Sequence, residues 1–169
     1  VAFSESLPPV HETPLMVVVA NVVRIVVVEG PVLGHRLHQA YRDAYGGQRV
    51  GKEIARLLNR AISLAERRRQ IISDNPLKES GIKPRTFRLP TQPQVVPREL
   101  GPRTLELVPP VELAHHLADL FTADNMQSEE EHFRAVLDLL GLKRLTDNVK
   151  SVLRSALELV PDDNANRNG

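Results

Sequence analysis

Cysteine and tryptophan are absent from the 169 residues of this chain, and aromatic residues make up only 4% of it. The lack of cysteine excludes disulfide bonds, thiolate metal sites and cysteine nucleophiles, and it fits a reducing cytoplasm, where we expect the protein to be located. Because aromatic side chains are so few, the core must be built mainly from leucine, valine and alanine, a composition that favours helices.

Long hydrophobic runs are also lacking. The most apolar segment, Leu15–Val28, is too short to span a bilayer and is interrupted by Asn21 and Arg24. It has neither the basic flank nor the small-residue cleavage site of a signal peptide, so the sequence predicts no membrane contact. The chain starts at Val1 rather than at methionine, which suggests a segment of a longer protein.

The chain contains an internal repeat. When the sequence is shifted by 95 residues, Pro14–Leu64 aligns with Pro109–Leu159 without a gap. The identities fall at the helix start, at the turn between helices and on the apolar stripe of the last helix, where geometry restricts residue choice. They are Pro14/Pro109, Ala40/Ala135, Asp43/Asp138, Gly46/Gly141, Arg49/Arg144, Leu58/Leu153, Ala61/Ala156 and Leu64/Leu159. We therefore predict one small structural unit that occurs twice.

Each unit is predicted to contain three helices. The first is ambiguous, because Met16–Val28 is rich in β-branched valine and favours a strand, whereas its counterpart Val111–Ala123 has a helical pattern. We interpret both as helices. The second helix is expected over Leu33–Tyr45 and Glu129–Leu140, and the third from about Arg49 or Thr146 onward. Two helices joined by a short turn that contains glycine, with a third helix in front, are typical of the helix-turn-helix.

A β-hairpin is predicted after the third helix of the first unit only. Gln70–Ser73 and Arg85–Leu89 have the alternation of strands and flank a stretch rich in turn residues. The predicted fold class is therefore mainly α, with two tandem helix-turn-helix (winged-helix-like) units, of which the first carries a hairpin wing. The expected boundaries are a flexible lead over 1–13, the first unit over 14–90, a proline-rich linker over 91–108, the second unit over 109–160 and a disordered tail over 161–169.

Two motifs suggest catalysis or ligand binding but do not support it. Gly46–Lys52 has the spacing of a phosphate-binding loop, yet Glu53 replaces the residue that would hold magnesium, and a helix rather than a strand precedes the motif. The neighbouring histidines His35 and His38 have no converging carboxylates that would complete a metal site. No nucleophile elbow occurs. We expect no metal, no cofactor and no enzymatic activity.

The third helix of the first unit has an asymmetric charge distribution. At 100° per residue, four basic residues form one stripe opposite the apolar face: Arg49, Lys52, Arg56 and Arg60. Further basic residues extend the charge to the wing, namely Arg67, Lys83, Arg85 and Arg88. The matching positions of the second unit hold Arg144, Asp147, Ser151 and Ser155. These eight residues of the first unit are the predicted nucleic-acid contacts, because basic side chains beside a helix-turn-helix hold DNA phosphates.

Two short motifs carry a resemblance to a known family. They are Glu29-Gly30-Pro31-Val32 and Gly46-x-x-Arg49-x-Gly51-x-x-Ile54, the latter echoed by Gly141-Leu142-Lys143-Arg144. The chain resembles a domain of unknown function at the C-terminal end of large bacterial proteins that combine a superfamily 1 DNA helicase with a restriction-endonuclease-like nuclease. The second copy departs from the family pattern at Thr146 and Asp147.

The resemblance implies a DNA-processing context, with the helicase and nuclease domains upstream in the same polypeptide as partners. The sequence thus predicts a non-catalytic DNA-binding accessory module. The alternative is a module that docks on its own polypeptide, or on a second copy as a homodimer, without touching nucleic acid. An ordinary solvated helix face would explain the same charges.

Overall fold

A computed structural model describes residues 1–121 and 128–161 of the chain. These residues are mainly helical, with six α-helices and one small three-stranded antiparallel sheet. The chain divides into two compact units, Val1–Gln94 and Val95–Gly169. No helix within the described ranges is both long and apolar enough to cross a bilayer.

The first unit contains three helices, the sheet and a 3₁₀ turn at Val10–Glu12. Its elements are α1 (Leu15–Glu29), β1 (Val32–Leu33), α2 (Gly34–Ala44), α3 (Lys52–Arg67), β2 (Ile72–Asp74) and β3 (Thr86–Arg88). The second unit contains a 3₁₀ turn at Leu105–Leu107 and then α4 (Pro110–Phe121), α5 (Glu129–Leu139) and α6 (Asp147–Leu157).

The helices follow the repeat found in the sequence. Each helix of the second unit begins 95 residues after its counterpart, since α1, α2 and α3 start at residues 15, 34 and 52 and α4, α5 and α6 start at residues 110, 129 and 147. The turn after the second helix is also repeated. Gly46 and Gly141 have φ values of 74° and 73°, and each donates its N–H to an aspartate carbonyl, that of Asp43 or Asp138, at 3.1 Å. A left-handed residue at this place ends a helix and turns the chain.

The valine-rich segment is a helix, as the alignment predicts. One face of α1 is fully buried, and its residues include Val18, Val22, Ile25 and Val26, with at most 2% of each exposed. Burial of this face outweighs the weak strand preference of valine, because propensity differences amount to only a few tenths of a kcal/mol per residue. The helix prediction for Met16–Val28 is confirmed.

Residues 1–13 differ from the flexible lead expected. Leu7 and Val10 are buried in the first core, and the backbone N–H of Leu7 donates to the carbonyl of Ala44 at 2.9 Å. Phe3 donates its backbone N–H to the carboxylate of Glu29 at 2.9 Å. The segment is held because it offers apolar side chains to the core and satisfies polar groups at the ends of α1 and α2.

The sheet has the strand order β1-β3-β2. The two strands of the predicted wing are present as β2 and β3, and Ser73 pairs with Phe87 in antiparallel register. On its other edge β3 pairs with β1, where Val32 faces Phe87. Strand β1 was not predicted, because two residues between helices carry no periodicity that sequence reasoning can detect.

The second unit takes its core from three helices and from the predicted linker. Leu105, Leu107 and Val108 belong to the expected linker over 91–108, but each is at most 3% exposed, and Leu105 and Val108 pack in the second core. The start of that linker belongs to the first unit, where Gln92 donates its side-chain amide to the carbonyl of Val26 at 3.2 Å. Residues 162–169 of the predicted disordered tail lie outside the described residues.

Candidate nucleic-acid interface

Helix α3 has one buried and one basic face. The buried residues are Leu58, Ala61, Ile62 and Ala65. Lys52, Arg56, Arg60 and Arg67 are exposed and lie within about 80° of arc on the opposite side, along about 22 Å of helix. We call these four residues the basic stripe. Their position follows from the periodicity of the apolar residues, which determines the side of α3 that faces the core.

Arg49 is not part of the helical stripe. Helix α3 begins at Lys52, after Gly51 in an extended conformation with φ −77° and ψ 173°. Arg49 is therefore in the loop between α2 and α3, where it is exposed. The sequence placed it on the helix because its spacing from Lys52 fits a helical turn, but the glycine N-cap starts the helix three residues later.

The cations of this face differ in their pairing. Arg49, Lys52 and Arg60 have no ion-pair partner in the part of the chain that the structure describes. Arg56 is paired with Glu53: its Nε and Nη2 donate to Glu53 Oε2 and Oε1 at 3.2 and 2.7 Å. Both side chains are 66% exposed. The hydrogen bonds and charge of Arg56 lower the pKa of the Glu53 carboxyl below its usual value.

Two of the predicted wing contacts serve the sheet itself. Arg88 donates through Nε to Asp74 Oδ2 at 2.9 Å and is only 16% exposed. Arg85 donates through Nη1 to Glu66 Oε2 at 3.3 Å. These pairs hold β3 against β2 and against the end of α3, so the two cations are already neutralised. Sequence reasoning missed this because the acidic partners are distant in sequence.

The remaining predicted contacts lie at the surface of the first unit. Lys83 is exposed between β2 and β3, and its backbone carbonyl accepts a hydrogen bond from the N–H of His35 at 3.0 Å. Arg67 is exposed at the end of α3, where its Nε donates to the carbonyl of Ser63 at 3.4 Å. The structure thus puts Lys83 on the hairpin and Arg67 at the far end of the basic stripe.

The equivalent helix of the second unit has a different surface. Asp147 takes the place of Lys52 at the start of α6, and Arg154 is paired with Glu129 through Nε and Oε1 at 2.8 Å. Asn148 donates to Glu106 Oε1 at 2.7 Å. The outward face of α6 therefore offers no continuous row of cations among the described residues.

The histidines are not arranged as a metal site. The described residues contain no group of three or more histidine, aspartate or glutamate side chains that could hold a metal ion. His38 is 1% exposed, and burial lowers its pKa to about 4 against the opposing effect of Asn59. His115 pairs with Asp119 on the surface of α4 at 3.2 Å. The neutral ring of His38 is a core side chain.

Comparisons of this chain with protein-family models, with curated proteins and with solved structures return no match.

Proposed function

We propose that the chain is a non-catalytic DNA-binding module and that its first unit is a winged helix that presents α3 to the major groove. The observation that carries this proposal is the basic stripe, which lies opposite the buried face of α3 and includes unpaired cations at Lys52 and Arg60. The equivalent face of α6 begins with Asp147 instead.

The arrangement of elements supports the winged-helix interpretation. A glycine turn joins α2 to α3, the hairpin of β2 and β3 follows α3 directly, and β1 between the first two helices completes the sheet. In winged helices and other helix-turn-helix domains the second helix of the motif enters the major groove, while flanking segments contact the backbone. Helix α3 is the second helix of the proposed motif, and Lys83 is on the hairpin.

We choose the proposed phosphate contacts by their exposure and by the absence of a carboxylate partner. Lys52, Arg60 and Arg67 from the stripe, Arg49 from the preceding loop and Lys83 from the hairpin are exposed cations without a carboxylate partner in the described ranges. Arg85 and Arg88 are committed to Glu66 and Asp74, so we assign them to the stability of the hairpin. Each phosphate contact releases counterions, which makes the binding salt-dependent.

The resemblance of the two short motifs to the C-terminal domain of bacterial helicase–nuclease proteins supports a proposed role in DNA processing. In that context the motor and nuclease would lie in the same polypeptide, and the module would hold the DNA for them. We propose that the second unit contacts protein, since its helix α6 begins with Asp147 where α3 has Lys52, and its outward face has no continuous row of cations among the described residues.

Docking without nucleic acid is the second candidate function. Four apolar side chains of α1 are between 36% and 53% exposed: Met16 and Val17 at its start, and Val27 and Val28 near its end, with the exposed Arg24 between the two pairs. Exposed apolar surface is a common feature of contacts with protein. It favours attachment to the parent polypeptide or to a second copy.

A salt titration separates the two functions. The affinity of the full chain for a labelled duplex is measured by fluorescence anisotropy at several salt concentrations, for the unmodified protein and for the double variant Lys52→Ala with Arg60→Ala. We expect the slope of log affinity against log salt to become shallower by roughly two units, because each phosphate contact contributes about 0.9.

The matched control is the double variant Lys143→Ala with Arg144→Ala, which also removes one lysine and one arginine, both exposed, from the second unit. We expect it to leave the slope nearly unchanged. Equal losses from the two double variants, or no binding of duplex by the unmodified chain at low salt, would contradict DNA binding by α3 and favour docking.

A further inference from the structure

Arg56 differs from the other cations of the basic stripe in being held by a carboxylate. Its side chain and that of Glu53 lie one turn apart on the exposed side of α3, and two parallel hydrogen bonds join them. Two hydrogen bonds to one carboxylate favour a single orientation of the guanidinium before any ligand arrives.

The geometry of the pair determines which donors remain. A guanidinium has five N–H donors, one on Nε and two on each terminal nitrogen. Glu53 takes the side edge, formed by Nε and Nη2, and so leaves the terminal edge formed by Nη1 and the second hydrogen of Nη2. Two parallel N–H groups at that edge match the O6 and N7 acceptors that guanine presents in the major groove.

Charge argues against a phosphate as the ligand of Arg56. The Glu53 carboxylate is as exposed as the guanidinium, so the pair carries no net charge, and a phosphate at Arg56 would lie close to a second anion. A base edge is neutral and has no such repulsion. The neighbouring cations Lys52 and Arg60 have no carboxylate partner among the described side chains and suit phosphates instead.

We infer that Arg56 recognises a guanine in the major groove and that Glu53 is the positioning residue that holds its guanidinium. This inference rests on the proposed DNA-binding function. Arg56 is the fifth residue of α3, and the first turns of a recognition helix are the part that reaches base edges. The contact with guanine would give the protein a sequence preference, whereas its other proposed contacts are with DNA phosphates.

The inference is tested by selecting bound duplexes from a randomised pool with the full chain and then measuring affinities for the selected site and for the same site with each guanine replaced. The unmodified protein should prefer one guanine by roughly 5- to 150-fold, the range of a good bidentate contact. Arg56→Ala should abolish that preference and keep salt-dependent binding of other sequences.

Glu53→Gln distinguishes positioning from a merely structural role. It should reduce the guanine preference while strengthening binding to all sequences and steepening the salt slope by up to about one unit, because Arg56 becomes a free cation. The matched control is Glu130→Gln, which likewise removes a carboxylate charge from an exposed pair, that with Arg134 on α5. That variant should leave the preference unchanged.

The outcomes separate this inference from the function it rests on. Salt-dependent binding without a guanine preference, or with a preference that Arg56→Ala retains, overturns the inference and leaves DNA binding standing. A preference unchanged by Glu53→Gln overturns the positioning role. No binding by the unmodified chain overturns both proposals. Thermal melting of each variant checks that the fold is intact, as expected for a side chain that is 66% exposed.

Discussion

The first unit contains a buried ion pair between Arg36 and Glu29, and removing its charge tests how much the pair contributes to stability. Arg36 on α2 donates through Nε and Nη2 to Glu29, the last residue of α1, at 2.9 and 2.8 Å. Both side chains are 5% exposed. Glu29 also accepts the backbone N–H of Phe3. The perturbation we choose is Glu29→Gln, which removes the charge and nearly preserves the shape.

The expected loss follows from the burial of the guanidinium. Removal of one partner of a buried pair costs about 3–5 kcal/mol, because the other charge is left uncompensated. The glutamine can still accept a hydrogen bond, and Arg36 keeps a longer contact with Asp43 at 3.4 Å. We therefore expect a loss of stability at the lower end of this range, about 3 kcal/mol. For a unit of this size, that loss lowers the melting temperature by about 15 °C.

Tyrosine fluorescence isolates the relevant transition. The chain has two tyrosines and no tryptophan, and both tyrosines, Tyr41 and Tyr45, lie in the first unit at the end of α2. Urea unfolding of the full chain followed at this signal reports the unit that contains Glu29 and Arg36.

A double-mutant cycle at Glu29 and Arg36 supplies the control for this prediction and the result that would refute it. Arg36→Met should cost a similar amount by itself, whereas the double variant with Glu29→Gln should recover much of the loss, since no charge then remains buried. Single losses below about 1 kcal/mol, the value of a surface pair, would refute the burial argument. Strictly additive losses would refute the coupling.

Three further predictions use the same tyrosine signal. The free energy of unfolding should fall by up to about 3 kcal/mol as the pH drops from about 6.5 to about 4. Buried His38, with a pKa lowered to about 4, takes up its proton more readily in the unfolded chain. His38→Leu should flatten this part of the pH profile, and a profile unchanged by that variant would contradict the prediction. Gly34→Ala should cost about 3 kcal/mol of stability, because the added Cβ would lie 2.1 Å from the backbone oxygen of Ile82. Gly51→Ala should cost only about 0.5 kcal/mol, because its Cβ would meet no described atom within 4 Å. Similar losses from the two variants would refute the packing argument. Gly46→Ala should cost about 1 kcal/mol, because its φ of 74° strains an L residue, and a neutral result would show that the turn relaxes.

Local patterns in the sequence determined most of the helical framework. The repeat indicated three helices per unit, and the apolar spacing on the third helix showed which side of α3 faces the core. Gly46 and Gly141 marked the turns, since a left-handed position favours glycine. The strand-like valines of α1 were interpreted correctly only because the repeat aligned them with a segment of plain helical pattern.

Contacts between residues distant in sequence were decided by the tertiary structure alone. Strand β1 exists because β3 offers it a partner, and the N-terminal residues are held because Leu7 and Val10 pack in the core of the first unit. No periodicity marks either feature.

The charges of the candidate interface were also determined partly by the sequence and partly by the fold. The sequence determined that the outer side of α3 is basic, because charge and helical spacing are both local properties. Only the folded chain decided which cations remain available, since Asp74 reaches Arg88 across the hairpin and Glu66 reaches Arg85 from α3. Pairing of charges depends on distance in space, and distance in sequence does not predict it.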